Sequence, residues 1–188
     1  MSGSGKSTLA KALSEEFNIP FFDADDLHPK ANIEKMSKGE PLTDVDREPW
    51  LEAVRTTAQH ACAEQQVNRS EPELCGVIIA CSALKKYYRD TLRGTIKRNT
   101  IPSNLEPPEP VALPTYIVFI SGTRERLVER MNARKGHFMK TSLLDSQIQT
   151  LESPEGEEGV ITVSLEASTE SQVRSVHEKL RELQVISV

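Results

Sequence analysis

Apolar positions along the chain fall into two alternating rhythms. From Lys6 to Phe17, Leu9, Ala12, Leu13 and Phe17 recur at helical spacing. The short run "IPFF" then reads as a strand, and it ends in the acids of "DADD". Residues 29–38 suit a short helix with proline in its first turn. "TDVDREPWLEAVRTTAQHACAEQQV" predicts a longer helix entered near Asp44. "CGVIIACS" reads as a buried strand, and a helix is expected from about Ala83 to Arg93. "TYIVFISG" restores a buried strand, and "TRERLVERMNARKG" a strongly basic helix. "GVITVSLEAS" gives a last strand, and "TESQVRSVHEKLRELQV" a last amphipathic helix. No internal repeat is present.

Strands that alternate with helices predict an α/β fold: a mostly parallel sheet with helices on both faces. Ligands in such folds bind beyond the carboxyl ends of the strands, which is where "DADD" falls. The rhythm breaks only at "NTIPSNLEPPEPVALPT", a proline-rich insertion at about 94–114 that reads as loop. A length of 188 residues fits one domain.

Composition narrows the function classes. The net charge of −5 argues against wholesale nucleic-acid binding. The longest apolar runs are far too short to span a bilayer, and no leader pattern is visible. Cys62, Cys75 and Cys81 show no C-x-x-C spacing and read as reduced thiols of a cytoplasmic protein. Basic residues cluster in "KKYYRDTLRGTIKR" and "RERLVERMNARK", where they would meet a phosphorylated small molecule or simply form a solvated face.

The N-terminal stretch "MSGSGKSTLAKAL" carries the clearest chemistry. Gly3, Ser4 and Gly5 are small enough to turn backbone N–H groups onto an anion, and the following helix adds its positive end. In a G-x-x-x-x-G-K-[ST] loop Lys6 would reach the β- and γ-phosphates, and the Ser7 hydroxyl would sit on Mg²⁺. Thr8 completes the nucleotide-binding run. Counting back from Gly5 passes Met1, so the first glycine and the strand that normally carries it are absent from the sequence. The expectation is that Met1 is internal to a longer reading frame. Asp23 and Asp25 alternate on the proposed strand end, so they are expected to point in different directions. One would hold a metal-bound water while the other faces an acceptor hydroxyl; Asp26 reads as a helix cap.

Three blocks together resemble the gluconokinases, small P-loop metabolite kinases related to shikimate and adenylate kinases. They are Met1 to Leu51, "ACSALKKYYRDTLR" and "RMNARKGHFMKTSLLDSQIQTLESP". The resemblance covers nearly the whole chain apart from the proline-rich segment. It implies one three-layer α/β/α P-loop kinase domain over residues 1–188, with its first central strand missing and a lid at about 130–142. It further implies ATP-dependent phosphorylation of D-gluconate with Mg²⁺, in a protein that forms homodimers. By the same resemblance, Lys6 and Ser7 handle phosphates and metal, Asp23 helps hold the metal, and Asp25 binds the acceptor hydroxyl and acts as its base. His28, Arg47, Lys85 and Arg89 would contact the sugar acid. Arg130 would contact nucleotide, Arg134 would close on the phosphates, and His137 falls in the lid. Two alternatives stay open: another small-molecule kinase of the same superfamily, or a catalytically impaired nucleotide-binding product.

Overall fold

In a computed structural model the described residues are 3–68, 74–96, 113–133 and 141–186. The elements follow the order α1 (Lys6–Phe17), β1 (Phe21–Asp23), a 3₁₀ turn (Ala24–Leu27), α2 (Lys30–Ser37), α3 (Asp44–Asn68), β2 (Ile78–Ala80), α4 (Lys86–Arg93), β3 (Ile117–Ser121), α5 (Arg124–Ala133), α6 (Thr141–Thr150), β4 (Val160–Ser164) and α7 (Thr169–Glu182). All strand pairing is parallel, as the alternation predicts. Phe21 pairs with Ile78 in β1–β2, and Ile117 with Val160 in β3–β4.

These are two separate two-stranded ladders. In a parallel ladder a residue that sends its N–H to one neighbour sends its C=O to the same side. Ile117 N–H donates to Gly159 at 2.8 Å, and Ser121 C=O accepts from Leu165 at 2.7 Å. The main-chain groups of Val118 and Ile120 therefore face away from β4. Ile78 N–H donates to Pro20 at 2.9 Å, so the main chain of Ile79 faces away from β1. Among the described residues no strand lies between β2 and β3. A cleft opens there, lined by Val118, Phe119 and Ile120 on one side and by Cys81 to Leu84, just past the end of β2, on the other. Most β2 and β3 side chains are only half-buried.

Two hydrophobic cores flank the strands. Leu9 and Leu13 of α1 pack with Ile120, Leu127, Leu144, Ile161, Val163 and Val176. On the opposite side Trp50, Leu51 and Val54 of α3 pack with Ala24, Leu84 and Tyr88. Adjacent residues of β2 divide between the two, Ile78 meeting the first core and Ile79 the second, as period-two side chains must. The result is helices on both faces of a split parallel sheet.

Three expectations change. Asp25 is not on a strand end: β1 stops at Asp23, whose carboxylate caps the 3₁₀ turn by accepting from the Asp25 N–H at 3.1 Å. The α4 helix starts at Lys86 rather than near Ala83, with Lys85 in extended conformation before it. Helix α6 was not anticipated; its Leu144 is fully buried in the first core. Most of the proline-rich insertion and of the lid lies outside the described residues, as do Arg134 and His137. No described helix is long and apolar enough to cross a membrane.

Candidate active site

Helix α1 begins directly after the glycine loop. Gly3 and Gly5 have φ values of 77° and 84°, a region that favours glycine. A side chain at Gly3 would also collide with Met131, whose Cγ would lie 2.8 Å from the added Cβ. Gly5 caps α1 and its C=O accepts from the Leu9 N–H at 2.9 Å. The loop therefore runs directly into the positive end of α1, where backbone N–H groups favour an anion. Ser4 and Lys6 line the mouth of the central cleft together with Cys81 and Ser82. Cys81 is pushed up to about 12 by burial, so it is a neutral thiol there and no nucleophile.

Ser7, at the start of α1, ties the loop to the acidic turn: its Oγ donates to Asp23 Oδ2 at 2.7 Å. Asp23 is held from both sides, since its other oxygen caps Asp25. Asp25 itself is exposed at the start of the 3₁₀ turn. Thr8 follows on α1 and is exposed. Arg130, near the end of α5, reaches the loop from the far side. Its Nη2 donates to Leu165 C=O at 2.5 Å, and its Nη1 would lie 3.7 Å from a Cβ at Gly5.

A second group of side chains stands beyond Asp25. Trp50 is fully buried and its Nε1 donates to Ala24 C=O at 2.6 Å, which anchors α3 under the 3₁₀ turn. His28 stacks on Trp50 with ring centroids 4.3 Å apart. Asn32 Nδ2 lies 3.3 Å from His28 Nδ1 and donates to Asp46 C=O at 2.8 Å. An amide donor on Nδ1 leaves the proton of a neutral imidazole on Nε2. Burial lowers the His28 pKa, the Asp25 charge works against that, and Arg47 adds to it. His28 is thus a neutral ring between an acid and a cation.

Arg47 lies on the first turns of α3. Its guanidinium sits 5.8 Å from the Tyr88 ring centroid, and its Nε is buried with no hydrogen-bond partner. Lys85 Nζ is also 5.8 Å from that centroid. Lys85 donates to both oxygens of Asp44, at 2.8 and 2.7 Å, and the Tyr88 hydroxyl donates to Asp44 as well. The Lys85 and Tyr88 hydrogen bonds hold the Asp44 carboxyl below the usual range. Sequence reasoning found Arg47 and Lys85 but passed over Asp44 and Tyr88. The "TDVDR" acids look like ordinary first-turn helix acids, and their partners are forty residues away in sequence.

Arg89 stands apart from this group. It is only 1% exposed, with Nε and Nη2 on Glu157 and Nη1 on the carbonyls of Ala83 and Leu84, both at 3.1 Å. Its donors join α4 to the turn before β4, and it also lines the central cleft with Lys6.

A glycine loop opening a helix, an acidic turn bonded to the loop's serine, and helices flanking a parallel sheet define a small P-loop kinase. Residues 2–155 match the family described as Shikimate kinase. The chain is 41% identical over 169 residues to a probable gluconokinase of Schizosaccharomyces pombe, covering 89% of this chain and 78% of that protein. It is 38% identical over 182 residues to the thermoresistant gluconokinase of Escherichia coli, covering 96% and 90%. The crystal structure of a gluconokinase from Sinorhizobium meliloti 1021 superposes with a TM-score of 0.71 at 39% identity, over 97% of this chain and 89% of that one. The chain belongs to the gluconokinase family of P-loop kinases.

Proposed function

We propose that the chain transfers the γ-phosphoryl group of ATP to the primary hydroxyl of D-gluconate, giving 6-phospho-D-gluconate and ADP. The observation that carries this reading is the Ser7–Asp23 bond, which brings the phosphate loop against the acidic turn holding Asp25. The gluconokinase relatives supply the acceptor.

Phosphoryl transfer asks little covalent work of a protein; it asks for in-line positioning and neutralised charge. The amides of Gly3 to Gly5, with Lys6 and Thr8, bind the phosphates in this reading. Arg130 contacts the nucleotide, and Arg134, outside the described residues, closes on it. Ser7 and Asp23 offer hard oxygen donors that suit Mg²⁺. The described residues contain no cluster of three metal-binding acids, histidines or cysteines, and Mg²⁺ fits that poverty because it keeps several waters and takes one or two protein ligands. Held by Ser7 and Asp23, the ion would supply positive charge that offsets the charge of the phosphates. Asp25 accepts the proton of the attacking hydroxyl. His28 presents Nε2–H to a substrate oxygen, and Arg47 and Lys85 receive the sugar-acid carboxylate. A cytoplasmic, homodimeric enzyme is part of the same reading; the free thiols of Cys62, Cys75 and Cys81 support the first.

The test is a panel of ATP-dependent phosphorylation assays with gluconate, related sugar acids, shikimate and nucleoside monophosphates. Gluconate is expected to turn over best. Asp25→Asn should lower kcat by about 10²–10⁴-fold, and Lys6→Ala should abolish turnover. No preference for gluconate, or activity that survives Lys6→Ala, overturns the reading.

A further inference from the structure

We propose that Asp44 is a specificity-determining positioning residue, which holds the Lys85 ammonium beside the Arg47 guanidinium so that two cations converge on the acceptor's carboxylate. This rests on the gluconate reading above. Three observations carry it. Both carboxylate oxygens of Asp44 accept from Lys85, at 2.8 and 2.7 Å, and Tyr88 donates to the same group. Arg47, one turn further along α3, and Lys85, just before α4, each sit 5.8 Å from the centroid of the Tyr88 ring. Arg47 Nε is buried without a hydrogen-bond partner, so this cation still has a donor to give.

The charges explain the arrangement. Two cations held against one ring repel each other, and a lysine on a flexible four-carbon stem relieves that repulsion by extending into water. Asp44 opposes this. It neutralises one of the two charges, which leaves the group with one net positive charge for one carboxylate. Glu48 accepts from Tyr87 at 3.1 Å. The side chains of Lys85 and Asp44 are 28% and 46% exposed. Ion pairs so exposed contribute little to folding. The effect of Asp44 therefore lies in where it keeps Lys85, and its loss should register in acceptor affinity rather than in stability. A merely structural role would do the reverse.

The experiment is a double-mutant cycle on the full chain with Asp44→Asn, Lys85→Met and the pair. Calorimetry reads the dissociation constants of gluconate and ATP, and thermal denaturation checks folding. Asp44→Asn should weaken gluconate binding roughly tenfold, the scale of one hydrogen bond to a charged group. ATP affinity and melting temperature should hold, and Asp44→Glu should recover part of the loss. On the Lys85→Met background, Asp44→Asn should cost nothing further. Unchanged gluconate affinity in a folded Asp44→Asn protein overturns the proposal, and so does an undiminished loss on the Lys85→Met background. If the unmodified chain binds related acids or shikimate but not gluconate, the functional reading falls first and this proposal with it.

Discussion

The Ser7 hydroxyl donates to the Asp23 carboxylate at 2.7 Å, so the residue after the phosphate-loop lysine is bonded to the last residue of β1. Each is a hard oxygen donor and each orients the other. Removing either should loosen Mg²⁺ more than it loosens ATP. Ser7→Ala and Asp23→Asn are each expected to raise the Mg²⁺ concentration for half-maximal rate by about 10–100-fold, the range seen when a ligand's orienting partner is lost. Initial rates against Mg²⁺ at fixed ATP measure this; an unaltered Mg²⁺ requirement in both variants would remove the pair from the metal site.

The buried Arg89 guanidinium pairs with the half-buried Glu157 carboxylate. Removing one partner of such a pair typically costs about 3–5 kcal/mol, because the other charge is left without compensation. Glu157→Ala should lower the melting temperature by roughly 6–20 °C for a chain of this size, with the affinity for gluconate unchanged in the folded protein. Arg89 holds the Glu157 carboxyl below its usual range. The stability it contributes is therefore complete above the ordinary glutamate pKa of about 4.5 and fades as pH falls through the lower folded value. A gluconate affinity that drops with no change in melting would place Arg89 in the substrate site.

His28 sets a second pH dependence, in a higher window. Its folded pKa is lowered, mainly by burial against Trp50. A depressed histidine pKa means that the unfolded chain binds more protons than the folded one near pH 6. The contribution of His28 is thus complete above about pH 6.5 and is lost as pH falls toward the folded pKa. Melting temperatures from pH 7.5 down to 5.5 should decline in the wild type. They should decline less in His28→Phe, which keeps a ring on Trp50 and cannot titrate. Parallel curves for the two proteins would contradict the buried, neutral state of His28.

The cleft between β2 and β3 predicts a gain. A lengthened chain with about five apolar β-formers and a glycine before Gly3 would fill it. Burial of those side chains gains roughly 10 kcal/mol, and ordering their backbone costs about 1–2 kcal/mol per residue. The two nearly cancel, so the net gain comes from the main-chain bonds to Val118, Ile120 and Ile79. Side-by-side denaturation should show a rise of roughly 10 °C or more; equal melting temperatures would mean the strand edges gain nothing from a neighbour.

The strands and all but one of the described helices could be read from periodicity, because each buries a face that repeats along its own stretch. Helix α6 escaped because "TSLLDSQIQT" shows only two or three apolar residues in a polar setting; its burial is decided by β3 and α5. Asp25 was misread for a local reason: the Asp23 carboxylate captures its N–H and turns the chain before the strand can continue. The expectations for Lys6 and Ser7 follow from the spacing of the glycine loop, and that for Asp23 from its place at the end of a short apolar run and from the family resemblance. The partners of Asp44 and Arg89 were not legible, since they lie in distant segments, Lys85 and Tyr88 for one and Glu157 for the other. Periodicity marks which side of a helix is buried; it does not say which acid a buried arginine will meet.

The split sheet also bears on how the chain behaves in company. Open strand edges recruit whatever extended apolar segment comes near, and among the described residues two such edges, those of β2 and β3, face a common cleft. During synthesis or refolding, the most abundant extended segments are those of other copies of the same chain. Yield and solubility will then fall steeply with protein concentration, well before the folded molecule reaches its melting temperature, and cooling or dilution will protect it better than added ligand.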